Sequence, residues 1–336
     1  MAQLRITVDS KHSRRVSRKH QPWVPTIKIW EGTTAHGSVD MQEGRVIADA
    51  LKLLFGEQNV LCRGEWSFED LKNGKLAFVT HPRNLGSVYQ YTTGQRTAEG
   101  FIKTMFYHGL PESVRLVVDA HGHTTKGSLQ DEPLNVIHAA CWTTFLEYPR
   151  ANANFSRYQP DIGAWFIIIT RAGRIVLQRW LYKPFIYHKV TGKIYESNVQ
   201  ADGWASSNRL EIERYFKILI EDALFVVVVI ADTHMGEKGA IAPLSYHDEN
   251  DKVIRVPNYT AANRRLYRYW LNFVSLLLEI KPDEIWFVGD PLAGTQVFSK
   301  KTATITQNLD EQRRMFVELF RPLAPARATK KMEVKQ

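Results

Sequence analysis

The chain alternates between short, unbroken apolar runs and longer stretches in which apolar residues recur every three or four positions. The first kind predicts strands buried on both faces and the second amphipathic helices, an alternation that predicts an α/β fold. Strands are expected at VPTIKIW (24–30), KLAFVTH (75–81), VRLVVDA (114–120), 225–231 and 284–288. AWFIIIT and RIVLQRW, within 164–180, read as a hairpin turning at Arg171, Ala172 and Gly173. Helices are expected over about 40–55, where Val46, Ile47, Ala50, Leu51 and Leu54 share a face, and over 97–110, closed by Gly109. Others follow in NRLEIERYFKILIEDA, over about 261–279 and over about 308–321. From 181 to 206 aromatics mix with turn residues, and the whole of about 185–222 reads as a connection.

With 336 residues, 44% of them hydrophobic, the chain can bury a substantial core. No apolar run approaches the ~20 residues that cross a bilayer, and the opening MAQLRITVDSKHSRR has no hydrophobic signal segment. The expectation is a protein without a membrane partner, located in the cytoplasm. Cys62 and Cys141 cannot form a disulfide framework and lack zinc-site spacing, so both read as buried thiols.

The net charge of +9 sits at the ends. Residues 1–20 carry six bases against Asp9, residues 321–336 carry five against Glu333, and 33 bases balance 33 acids between them. The chain therefore divides into a basic tail, 1–22, a single domain, 23–322, and a second basic tail, 323–336. Basic character of this kind attracts phosphate only if the ends lie together.

Chemistry-bearing residues gather just after predicted strands. Asp232 and His234 follow the run 225–231, Asp290 follows 284–288, and His121 and His123 follow 114–120. His36 lies in EGTTAHG after the first strand, and His81 closes 75–81. Alone, such a histidine is commonly a hydrogen-bonded structural residue and such an aspartate a helix cap. Five strand ends finishing in Asp or His point instead to one site, because open α/β sheets bind ligands at that edge. Carboxylates and imidazoles without cysteine suit a catalytic manganese, iron, nickel or zinc site.

These residues carry a family resemblance. DTHMG resembles the D-x-H motif of the calcineurin-like metallophosphoesterases, VGD their G-D motif, and AHGH their G-H-x-H, with Ala120 in place of glycine. EGTTAHG is similar to their G-N-H-D/E motif in a G-T-x-x-H form associated with a phage and prophage branch. ADTHMGEKGAIAP, LYRYWLNF, TITQNLDEQRRMFVELFRPLA, THPRNLGSVYQYTTG and QRWLYKPFIYHK resemble that branch as well. The family order is D-x-H, G-D, G-N-H, H, G-H-x-H, whereas here the last three precede the first two. This single rotation implies a circular permutant, its usual ends joined through about 185–222, with new ends and their basic segments brought side by side.

The resemblance implies a four-layer αββα sandwich and a dinuclear hydrolytic site. Asp232, His234 and His123 would hold one ion, His81 and His121 the other, with Asp290 between them and His36 as general acid. The cofactors implied are two divalent ions, manganese first, with iron, zinc or nickel as alternatives. The substrate would be a phosphoester, with a phosphodiester or nucleic acid favoured over a phosphomonoester or cyclic nucleotide. The motif asparagine is absent, leaving Thr33 or Thr34 as supporting hydroxyls. That loss, with Ala120, keeps open a binding or scaffold protein on an impaired phosphoesterase fold. HTTKGS lacks the spacing of a nucleotide phosphate loop, and Leu266, Trp270 and Phe273 in the helix containing NRRLYRYW read as core. Ser207 reads as a helix cap with Glu211 nearby.

Overall fold

A computed structural model of the protein describes residues 23–32, 43–81, 112–120, 125, 128, 130, 134–144, 160–182, 185–187, 194–196, 216–294 and 304–325. In chain order, β1 (Thr26–Ile29) precedes α1 (Glu43–Phe55) and the short strands β2 (Val60–Cys62) and β3 (Trp66–Asp70). Next come β4 (Leu76–Thr80), β5 (Val114–Asp119), β6 (Asn135–His138) and the hairpin of β7 (Ile162–Thr170) and β8 (Ile175–Tyr182). The strands β9 (Phe185–Tyr187) and β10 (Ile194–Glu196) pair antiparallel within the stretch read as a connection. The second half holds β11 (Ala223–Ala231), the hairpin of β12 (Ser245–His247) and β13 (Val253–Arg255), α2 (Ala261–Ile280), β14 (Glu284–Val288) and α3 (Leu309–Phe320).

The larger sheet has the order β2-β1-β14-β11-β7-β8. Its first four strands are parallel, and β7 and β8 complete it as antiparallel neighbours. The smaller sheet has the order β3-β4-β5-β6, antiparallel only between β3 and β4. The valine-rich β11 shows why the central strands are unbroken apolar runs. Val226, Val228 and Ile230 face a core shared with Leu51 of α1, Leu266 and Trp270 of α2 and Phe316 of α3. Val227, Val229 and Ala231 face a second core, shared with Ala77, Val79, Leu116, Val118 and Ile137 of the smaller sheet. The protein is thus an α/β sandwich in which helices, the larger sheet and the smaller sheet stack in that order. The outer face of the smaller sheet has its own apolar cluster of Val114, Val117, Leu134 and Val136. The helix expected over 97–110 lies outside the described residues, as do the first basic tail and residues 326–336 of the second.

Helix boundaries follow local chemistry. Thr260 caps α2 by accepting from the Asn263 N–H while the Asn263 side chain accepts from the Thr260 N–H, a reciprocal box. Asn308 caps α3 by accepting from Asp310 and Glu311. Lys281 ends α2 in the left-handed conformation, its N–H bonded to Leu277.

A charged group also lies between the sheets. Alternation along β1 turns Ile27 and Ile29 toward the helices and Lys28 toward the smaller sheet. Its ammonium meets Glu69 of β3 at 2.8 Å and Glu284 of β14 at 2.6 Å, all three side chains being at most 10% exposed. Arg63 and Ser67 also bond the Glu69 carboxylate. Trp286 donates its indole N–H to Glu284. Burial pushes the Glu69 carboxyl up, but the Lys28 ammonium, the Ser67 hydroxyl and Arg63 outweigh it and hold the group below the usual carboxylate range.

Because breaking a buried ion pair leaves uncompensated charge, Lys28→Met is expected to destabilise the protein by about 3–5 kcal/mol. Urea denaturation of the two proteins measures this. A loss within experimental error of zero contradicts the role given to Lys28.

Candidate metal centre

Parallel pairing in each sheet brings several strand ends to one edge, and face-to-face packing sets the two edges together. His81 leaves β4 in the smaller sheet, whereas Asp232 leaves β11 and Asp290 follows β14 by two residues in the larger one. One ligand atom from each of His81, Asp232 and Asp290 lies within 4.8 Å of the others, and all three residues are buried. The His81 Nε2 is 3.3 Å from Asp232 Oδ1 and 3.8 Å from Asp290 Oδ2. Residues 209 positions apart in sequence therefore share a centre that neither sheet forms alone.

The two aspartates are fixed by a continuation of the β11–β14 pairing beyond the strands. Asp290 N–H donates to Asp232 Oδ1 at 2.9 Å, and His234 N–H donates to the Asp290 carbonyl at 3.2 Å. Met235 then donates to Pro291 and Ala293 back to Met235, forming a parallel bridge between Met235 and Leu292. To follow this path Asp232 and His234 adopt φ of 42° and 43°, the left-handed region that side-chain-bearing residues rarely occupy. Such backbone strain persists only where the surroundings over-determine it.

Those surroundings include two buried amides. Asn263 donates to the carbonyls of Glu237 and Ala240. From α3, Gln312 accepts from the Gly294 N–H and donates to the Gly294 and Thr306 carbonyls. Nothing in the sequence pattern singled out either amide. Both stand at the start of helices that follow the loops they hold, and only the tertiary structure reveals what they bond.

Two glycines let the side chains of the centre press against the backbone. At Gly289, with φ of 108°, an added Cβ would lie 2.2 Å from Asp232 Oδ1 and 2.7 Å from the His81 ring. At Gly32, a Cβ would lie 2.1 Å from Asp290 Oδ1. Gly32 begins GTTAHG, so β1 delivers the start of that motif directly against Asp290. His36, Thr33 and Thr34 further along it lie outside the described residues, as do His121 and His123. His234 is buried beside the centre, but its ring lies outside the group of three that share the 4.8 Å sphere.

Burial works to lower the His81 pKa, but the adjoining carboxylates of Asp232, then Asp290 and Asp119, outweigh it and push the imidazole up to about 9. In the metal-free protein a proton on His81 thus partly compensates the two buried aspartates. Two carboxylate oxygens and an imidazole nitrogen, converging in a buried place from which glycine excludes side-chain bulk, fit a divalent cation of the manganese, iron or zinc type. Binding such an ion displaces the His81 proton, because a ligating imidazole must be neutral on the nitrogen it offers.

The sign of the pH effect follows. A folded-state pKa raised above the ordinary 6.5 adds stability that is complete below that value and lost as pH rises through about 9. In EDTA, the thermal stability of the wild type is expected to fall between about pH 7 and pH 10 relative to that of His81→Gln. Parallel profiles for the two proteins contradict the assigned protonation. Gly289→Ala, which drives a methyl into Asp232 and His81, is expected to weaken manganese binding tenfold or more by isothermal titration calorimetry. Unchanged affinity in a folded variant argues against a centre at these residues.

Comparison of the chain with protein-family models, with curated proteins and with solved structures gives no match.

Proposed function

We propose that the protein is a metal-dependent phosphoesterase acting on phosphodiesters, built as a circularly permuted, four-layer metallophosphoesterase-like sandwich. The observation that carries this reading is the meeting of His81, Asp232 and Asp290 at the joined C-terminal edges of two sheets. These residues come from three of the five motif-like segments, in rotated order along the chain. The closeness of Gly32 to Asp290 adds a fourth segment to the same place.

When bound, a pair of divalent ions would acidify a water, neutralise phosphoryl oxygens and stabilise the charge on the attacking and leaving oxygens. The chain's part is to hold and orient. Asp232 and His81 supply ligands from opposite sheets, Asp290 stands beside both, and His234, His121 and His123 complete the proposed set. His81 must first give up its proton. The bonds from Asp290 N–H to Asp232 and from His234 N–H to the Asp290 carbonyl set the carboxylates before substrate arrives. The lack of side chains at Gly32 and Gly289 lets the Asp290 and Asp232 carboxylates and the His81 ring sit close against the backbone. His36, four residues beyond Gly32, is the proposed donor of a proton to the leaving alkoxide, a role that contributes about 10²–10⁴ in rate.

A second reading, a binding or scaffold protein on an impaired phosphoesterase fold, is favoured by the missing asparagine in GTTAHG and by Ala120 in place of glycine. It predicts no more than one tightly held ion per chain. The phosphoesterase reading predicts two ions and manganese-dependent release of nitrophenol from bis-nitrophenyl phosphate. In Asp290→Asn that release should fall by about 10² or more while the fold is retained. Failure of the manganese-loaded protein to hydrolyse bis-nitrophenyl phosphate, nitrophenyl phosphate or short DNA would reject catalysis, and a metal count decides between the remaining alternatives.

A further inference from the structure

The link from β2 to β3, residues 63–65, passes from the larger sheet to the smaller one at the edge that carries the candidate metal centre. The carbonyl of Glu65 accepts the backbone N–H of His81, so the start of β3 is tied directly to a proposed ligand. The next residue is Trp66. It is 58% exposed, and among the described residues no other large apolar side chain of the smaller sheet is as open.

An indole left in water costs free energy unless something covers it in the working state. The ring is also held in place. Phe68 meets it at 6.0 Å between centroids, edge-on at 77°, and Phe78 lies at 6.0 Å on a tilt of 38°. Phe68 and Phe78 themselves meet at 5.4 Å. A backed, oriented ring beside a reaction centre loses little conformational freedom when a flat partner stacks on it. A lone exposed ring is far smaller than the area a stable protein interface buries, whereas it matches one aromatic ring of a ligand.

We propose that Trp66 is a stacking platform for a nucleobase of an unpaired nucleic-acid strand whose backbone passes the metal centre. This rests on the phosphoesterase reading and names its substrate class. Pleating decides which base is held. Trp66 pairs with Thr80, one residue before His81, so its side chain and that of His81 leave opposite faces of the sheet. The stacked base therefore belongs to a nucleotide neighbouring the one whose phosphate reaches the centre, which requires an oligonucleotide. In a duplex the bases are stacked on each other and unavailable. Base-on-aromatic stacking tolerates any sequence, so the platform asks for an unpaired strand and not for a particular one.

The test is equilibrium binding of a fluorescein-labelled single-stranded oligothymidylate to the full chain in EDTA, followed by anisotropy, so that no strand is cut. Trp66→Ala is expected to raise Kd about tenfold or more, and Trp66→Phe to stay within about threefold of wild type. Binding to a duplex of equal length should be weaker and insensitive to either change. The proposal is overturned if the wild type does not bind the single strand, if the alanine variant binds equally well, or if both variants lose binding together with thermal stability. Because the readout involves no hydrolysis, an inactive protein that still binds through Trp66 would sink the phosphoesterase reading alone. An active one indifferent to Trp66 would sink this proposal alone.

Discussion

The hydrogen bond from the Asp290 N–H to Asp232 Oδ1 is the constraint on which the site depends. It exists because β11 and β14 are parallel neighbours in register, Ala231 beside Val288, so that both chains leave the sheet in the same direction. Each then enters a loop that the other satisfies, with backbone bonds running from one to the other as far as Ala293. An antiparallel arrangement would send the aspartates to opposite ends of the sandwich. The helices stabilise this exit from behind, through Asn263 and Gln312, and the left-handed conformations of Asp232 and His234 are held by the same bonds.

Much of this organisation was legible in the sequence because the central strands are buried on both faces. Unbroken runs such as FVVVVIA and EIWFV admit few other structures, and β14 occupies 284–288 as expected. The helices α2 and α3 begin and end within a residue or two of their expected limits, their caps being written in Thr260 and Asn308. The strands β2, β3 and β6 were not foreseen, nor were the short pairs β9–β10 and β12–β13. They are short, and β3 reads WSFED, in which a buried glutamate breaks any apolar pattern. Glu69 is buried because Lys28 waits for it on another sheet, a fact that only three-dimensional structure contains.

The candidate site was legible to a similar depth. Asp232, Asp290 and His81 were identifiable because each stands just past a buried strand and five such strand ends finish in Asp or His, although any one of them alone reads as a structural residue. Their convergence required the two sheets to be stacked with matching edges, which alternation within single strands cannot specify. Gly289 and Gly32 were visible only as letters within motifs, since the need for a missing Cβ depends on what stands opposite. Trp66 carried no signal, because an aromatic in a short strand usually belongs to a core.

The centre straddles a seam. One of its candidate ligands belongs to the smaller sheet and two to the larger, and the layers adhere mainly through apolar contact, with the Lys28 cluster and the indole bonds from Trp30 to Ser67 and from Trp165 to the His138 carbonyl among the polar links. Apolar surfaces resist separation but allow sliding, since one greasy contact is readily exchanged for another. A cation coordinated from both sides would act as a rivet through the sandwich, converting a shearing motion of one layer over the other into the rupture of directional bonds.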